Sequence, residues 1–179
     1  MPQPSAGIID SQSVKTSEGG EERGVDVYQQ VSGRKRHIIV DTLGLLLLVV
    51  VHRASLPDGN GGKLVLARLF KRIKRSLYNH WCRLKLIWAD GAYEDSITWV
   101  KQHFGWQLEV VRRPQTAKGF QALPHRWVVE RTFSWLGRYR LWHAIMNIKP
   151  CQASQWCISP VFIAPCDPYL VKPDFQNAI

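Results

Sequence analysis

Three acids stand out by what surrounds them. Asp10 follows the apolar pair Ile8 and Ile9 in "GIIDSQSVKT", Asp90 closes the apolar run in "RLKLIWAD", and Glu130 is the lone acid of "HRWVVERTFSWLGRYR". Carboxylates brought together from separate elements repel one another, and a divalent cation between them removes the repulsion. Hard oxygen ligands of this type suit Mg²⁺ or Mn²⁺ better than zinc. Two such ions roughly 3.5–4 Å apart can activate a water or a 3′-hydroxyl on one side of a phosphodiester and stabilise the leaving oxygen on the other. The basic setting of Glu130 favours the ionised form that a ligand needs.

The elements that must position these acids can be read from periodicity. Ile8, Ile9 and Asp10 read as a core strand. "RKRHIIVDTLGLLLLVVVHRA" reads as two extended runs joined at "DTLG", where Asp41 opens a turn and Gly44 takes a positive φ. In "NGGKLVLARLFKRIKRSLYNH", Leu66, Leu69, Phe70, Ile73 and Leu77 fall at helical spacing, with Lys63, Arg68, Lys71, Arg72, Lys74 and Arg75 on the remaining surface. "RLKLIWADGAYED" supplies a fourth strand and "EDSITWVKQHFG" a short helix stopped at Gly105. "WQLEVVRRP" supplies a fifth strand, and a final helix after Pro124 carries Glu130. The polar stretch "SEGGEERGVDVYQQVSG" suits an exposed loop or irregular hairpin.

The order β, β, β, α, β, α, β, α predicts an α/β fold: a ribonuclease-H-like mixed sheet, with a three-stranded meander plus two parallel strands, flanked by helices. Such a sheet brings the ends of strands one and four together and lays the last helix across them.

The chain has 179 residues and a net charge of +10. Residues 1–140 carry all of that excess, which points to a polyanion as partner, DNA or RNA before an anionic membrane. Residues 141–179 are nearly uncharged and proline-rich and show no sustained period, so we expect an irregular tail there. The longest apolar run, "LLLLVVV", is far too short to span a bilayer, and the amino terminus lacks a signal-like pattern. Cys82, Cys151, Cys157 and Cys166 show neither a CxxC pair nor the framework of a small secreted domain, so reduced thiols in the cytoplasm are expected; His143, Cys151, Cys157 and Cys166 match no common zinc spacing.

The blocks "IIDSQSVKT", "GRKRHIIVDTLG", "IWADGAYED" and "RWVVERTFSWLGRYR" resemble, in that order, the catalytic blocks of DDE transposases from bacterial insertion sequences of the group usually numbered five. The resemblance covers residues 8–140. It implies a ribonuclease-H-like catalytic domain over residues 1–140, whose Asp10, Asp90 and Glu130 bind two Mg²⁺ or Mn²⁺ ions and move a DNA element by hydrolysis and strand transfer. It also implies a homo-oligomer when active, with element ends and target DNA as partners.

Arg126 matches the family's arginine, which precedes the glutamate with three residues between. The family's tyrosine is replaced by Leu123. Relatives carry a longer amino-terminal region, and the pattern is not continued after "GRYR", so the chain reads as a segment or remnant of a transposase. A DNA-binding remnant without catalysis and a nuclease on the same fold are the alternatives.

For DNA contacts we expect Lys15, Arg34, Lys35, Arg36, Arg126, Arg131, Trp135 and Arg138, although "GRKRH" also suits a basic strand edge and Trp135 also suits a core position. Among the remaining acids, Asp41 is assigned to the hairpin turn, Asp95 to a helix start and Asp58 to a Pro-Asp-Gly turn; Asp26 has no assignment.

Overall fold

The computed structural model of the chain describes residues 4–16, 23–75, 83–112, 125–138, 156–158 and 163–165. Strands β1 (Ala6–Lys15), β3 (Val31–Asp41) and β4 (Leu46–Arg53) form an antiparallel meander, and a short β2 (Gly24–Asp26) pairs with the start of β3. On the other side of β1, β5 (Leu86–Ala89) and then β6 (Gln107–Val110) are added in parallel. This is the predicted mixed, ribonuclease-H-like sheet, with β2 as the one strand the sequence reading did not separate from its loop.

Alternation along β1 and β3 sends successive side chains to opposite faces. Ile9, Ile39, Val50 and Ile87 face one layer, with Val65, Leu66 and Leu69 of α1 (Asp58–Arg75) and Val100 of α2 (Ile97–Phe104). Ile8, Ile38, Val40, Val49 and Val51 face the other, with Val128, Val129 and Phe133 of α3 (Arg126–Arg138). The basic helix is therefore α1, and it begins at Asp58, two residues before Asn60, where the stretch read as helical starts. Gly61 and Gly62 are required there: an added Cβ would lie 2.3 Å from the His37 ring and 2.5 Å from the Tyr93 ring. Leu77 lies outside the described residues.

The turn from β3 to β4 is built by Asp41. Its Oδ1 accepts from the backbone N–H of Leu43 at 2.9 Å and of Leu45 at 2.8 Å, and Gly44 takes φ 90°. Farther along, β7 (Trp156–Ile158) and β8 (Ile163–Pro165) pair as a small antiparallel ribbon, where an irregular tail was expected. No helix among the described residues is long and apolar enough to cross a membrane.

The run "GRKRH" requires a correction. Arg34, Lys35 and Arg36 are only 1%, 3% and 5% exposed, so none of them is the DNA-facing cation expected from sequence. Their strand is central, flanked by β1 and β4, and both of its faces are covered. The Arg36 guanidinium donates to Gln12 Oε1 and lies 5.3 Å from the Phe133 ring centre; burial alone pushes its pKa down to about 10.

Lys35 turns to the other face. Its Nζ lies 3.0 Å from Asp26 Oδ2 and 2.9 Å from Asp58 Oδ1. Asp58 is thus not a turn residue but the first residue of α1, where its charge also complements the helix dipole, and it accepts from Ser11 Oγ at 2.8 Å. Below it, His37 and His52 share a 2.8 Å hydrogen bond. Burial, then the neighbouring His52, pushes the pKa of His37 down to about 3, so it stays neutral.

Burial opposes ionisation of Asp26, but hydrogen bonds from Ser13, Lys35 and the Gln29 backbone outweigh it and hold its pKa at about 2. A depressed carboxylate pKa contributes stability that is complete above the unfolded value near 4 and is lost as pH falls through the folded value. Replacing Lys35 with Met leaves two carboxylates facing each other without their cation. Urea titration of Lys35→Met at pH 7 is expected to show a loss of about 3 kcal/mol. The acid-unfolding midpoint should also move to higher pH, because Asp26 no longer keeps its depressed pKa.

Candidate active site

The strand register brings the two aspartates together. Strands β1 and β5 run parallel with Ile8 opposite Trp88. Two residues further along stand Asp10, within β1, and Asp90, directly after the last residue of β5. Period-two alternation puts both on the α3 side, because Ile8 and Trp88 already face the α3 cluster while Ile9 and Ile87 face α1. Asp90 also opens the 3-10 turn Gly91–Ser96 by accepting from the Ala92 N–H at 3.0 Å. Asp95, expected at a helix start, lies in this turn just before α2.

Helix α3 supplies the third acid, and three contacts fix its position. At its start, the His125 ring stacks on Trp88 with centroids 3.9 Å apart and planes within 2°; His125 has φ 67°. In its middle, Arg131 Nη2 donates to the Leu43 carbonyl at 2.9 Å and Thr132 Oγ1 to the Gly44 carbonyl at 3.2 Å. Its inner face is the apolar stripe Val128, Val129 and Phe133. Asp41 therefore acts on the site at a distance, because the turn it builds presents the carbonyls that hold α3.

The three acids converge on a single atom. Arg126 Nη2 lies 3.6 Å from Asp10 Oδ2, 3.9 Å from Asp90 Oδ2 and 3.9 Å from Glu130 Oε1. Exposure rises in the same order: 13% for the Asp10 side chain, 29% for Asp90 and 51% for Glu130. Burial pushes the Asp10 pKa up to about 6. Arg126 and the Ser11 N–H, 2.8 Å from Oδ1, pull it down, and the charges of Asp90 and Glu130 add to the rise. Burial is the largest of these influences, and Arg126 offsets part of it.

The donor set matches Mg²⁺ or Mn²⁺ in type, being all carboxylate oxygen. Among the described residues, however, no three His, Cys, Asp or Glu side chains are gathered closely enough to hold an ion as they stand. The carboxylates surround the guanidinium instead of closing on a point.

The expected DNA-contacting residues divide into groups. Lys15 and Arg138 are exposed, at the far ends of β1 and α3. Arg126 is among the acids. Arg131 is engaged by the Leu43 carbonyl and by the rings of Trp127 and Trp135, 4.7 Å and 4.6 Å away. Trp135 is 49% exposed and not in the core. Arg34, Lys35 and Arg36 are buried. The sequence reading missed the positioning roles of Trp88, His125 and Thr132. A tryptophan in step with Ile8, and a histidine just before the helix, were the available signals.

A family model described as a transposase DDE domain matches residues 1–152. No curated protein matches the chain in sequence. With most of its length matched, and with two strand-borne aspartates and a helix-borne glutamate gathered on one face of a ribonuclease-H-like sheet, the chain belongs to the family of proteins with a transposase DDE domain.

Proposed function

We propose that the chain is the catalytic domain of an insertion-sequence DDE transposase that cuts DNA strands and transfers them, with Asp10, Asp90 and Glu130 as ligands to two Mg²⁺ or Mn²⁺ ions. The observation that carries this reading is the convergence of three carboxylates, from two strand ends and a helix, on one guanidinium nitrogen. Bound ions would supply an activated water or 3′-hydroxyl and stabilise the leaving oxygen.

The chain's own residues do the rest. β1 and β5 hold Asp10 and Asp90 rigidly, and the more exposed Glu130 adjusts. Arg126, Lys15 and Arg138 supply positive charge for the phosphate backbone, and Trp135, with Arg131 beside it, offers an exposed ring to the same strand. Backbone contacts of this kind position DNA without reading its sequence. The substrates in this reading are element ends and target DNA, the active form is a homo-oligomer, and the setting is the bacterial cytoplasm, at the nucleoid when DNA is bound.

The first test is Mg²⁺-dependent nicking and joining of DNA by the wild type, Asp10→Ala, Asp90→Ala and Glu130→Ala. Each substitution is expected to lower turnover by more than the roughly 100-fold upper range of outer-shell changes, with DNA binding retained in a gel-shift assay. If all four bind and none cleaves, the protein is a DNA-binding remnant; if all four cut equally, the site lies elsewhere.

A second expectation follows from the Asp10 carboxyl. Its folded pKa, about 6, lies above the ordinary carboxylate value. Its stability contribution is therefore full at acid pH and is lost as pH rises through 6. In excess chelator at pH 8, Asp10→Asn is expected to be more stable than the wild type, by up to about 3 kcal/mol. The difference should shrink toward zero at pH 4, as thermal denaturation at both pH values would show.

A further inference from the structure

We propose that Arg126 is a built-in stand-in for the cation of the acidic site, and that a divalent ion enters only by displacing its guanidinium. The inference rests on the metal-dependent reading above. It goes further in assigning to one side chain the state of the site before metal and DNA arrive.

Geometry carries the proposal. Ions of this class bind carboxylate oxygens at roughly 2.0–2.2 Å, so the oxygens must close on the space that Arg126 Nη2 fills. As they stand, they surround that nitrogen at 3.6 Å, 3.9 Å and 3.9 Å, and no ion-sized cluster exists among the described residues. Ion and guanidinium exclude each other.

The same distances show that the guanidinium is loosely held. An N–H···O hydrogen bond spans about 2.7–3.2 Å, and Arg126 reaches none of its three carboxylates within that range. Lys35 is the internal comparison: it too bridges acids from different elements, but at 3.0 Å and 2.9 Å and with its side chain 4% exposed. Lys35 is a permanent fixture of the fold. Arg126, at 22% side-chain exposure and in the first turn of α3, has a path to solvent.

Apparent ion affinity is then lowered by the factor by which the arginine-filled state outweighs the open one. A DNA phosphate offers the displaced guanidinium another partner, so DNA and metal favour each other's binding.

The test uses Mn²⁺ alone, without DNA, on the full chain. Free ion is counted by electron paramagnetic resonance for the wild type, Arg126→Ala, Arg126→Met and the distant control Lys101→Ala. At least tenfold tighter Mn²⁺ binding by both Arg126 variants, with Lys101→Ala within twofold of wild type, is the expected result. Should either Arg126 variant unfold without metal, the Mn²⁺-induced rise in its melting temperature replaces the titration and is expected to exceed that of the wild type. Unchanged or weaker binding in the Arg126 variants, beside saturable wild-type binding, overturns the inference and leaves the metal site standing. No saturable binding in any protein overturns both.

Discussion

Like charges brought together inside a protein need a cation between them, and this requirement shapes both faces of the β1–β3 pair. On the α1 face, Asp26 and Asp58 meet at Lys35. On the α3 face, Asp10, Asp90 and Glu130 meet at Arg126. The first cluster ties β2, β3 and the start of α1 together with short contacts around a buried Lys35 and a buried Asp26, and its loss would cost stability. The second is looser, with contacts of 3.6–3.9 Å, and Glu130 is half exposed. One arrangement of sheet and helices thus holds a tight ionic joint on one side and a looser one on the other, and the looser one is where we propose the exchange of cations.

Much of this was legible in the chain because period-two alternation and parallel pairing leave few choices. Two isoleucines before an acid, and an apolar run ending in an acid, identify strands that deliver Asp10 and Asp90. Once β1 and β5 are neighbours in parallel, matching residues on both strands must face the same layer. The helical spacing of Val129, Phe133 and Leu136 likewise fixes which side of α3 is buried, and so leaves Glu130 on its border.

The basic run was misread for a physical reason. Three cations in succession suggest an edge or a surface, but alternation in a central strand divides them between two covered faces, where each finds a separate partner: Gln12 and Phe133 for Arg36, two acids for Lys35. The two acids that answer Lys35 were the ones left unassigned or placed in a turn. Pro57-Asp58-Gly59 fits a turn and a helix start equally well by local preference, and only the tertiary contact with β3 decides between them. Local chemistry shows which residues carry charge, and long-range pairing decides which charges are used up internally.

That division bears on where the site can move. Asp10 lies in β1 and Asp90 directly after β5, each two residues beyond the paired Ile8 and Trp88, so the sheet largely sets where they stand. Glu130 is on a helix held through side chains: a ring stack at its start, two donors to the Leu43 and Gly44 carbonyls, and an apolar stripe. It is also the longest and most exposed of the three acids. Closing the carboxylates on an ion therefore requires little of the strands. Arg126 and Glu130 lie one turn apart on the same face of α3, so in the proposed exchange the guanidinium leaves by side-chain rotation while the Glu130 carboxylate turns toward the ion. The Trp88–His125 stack ties the start of α3 to β5, one residue before Arg126.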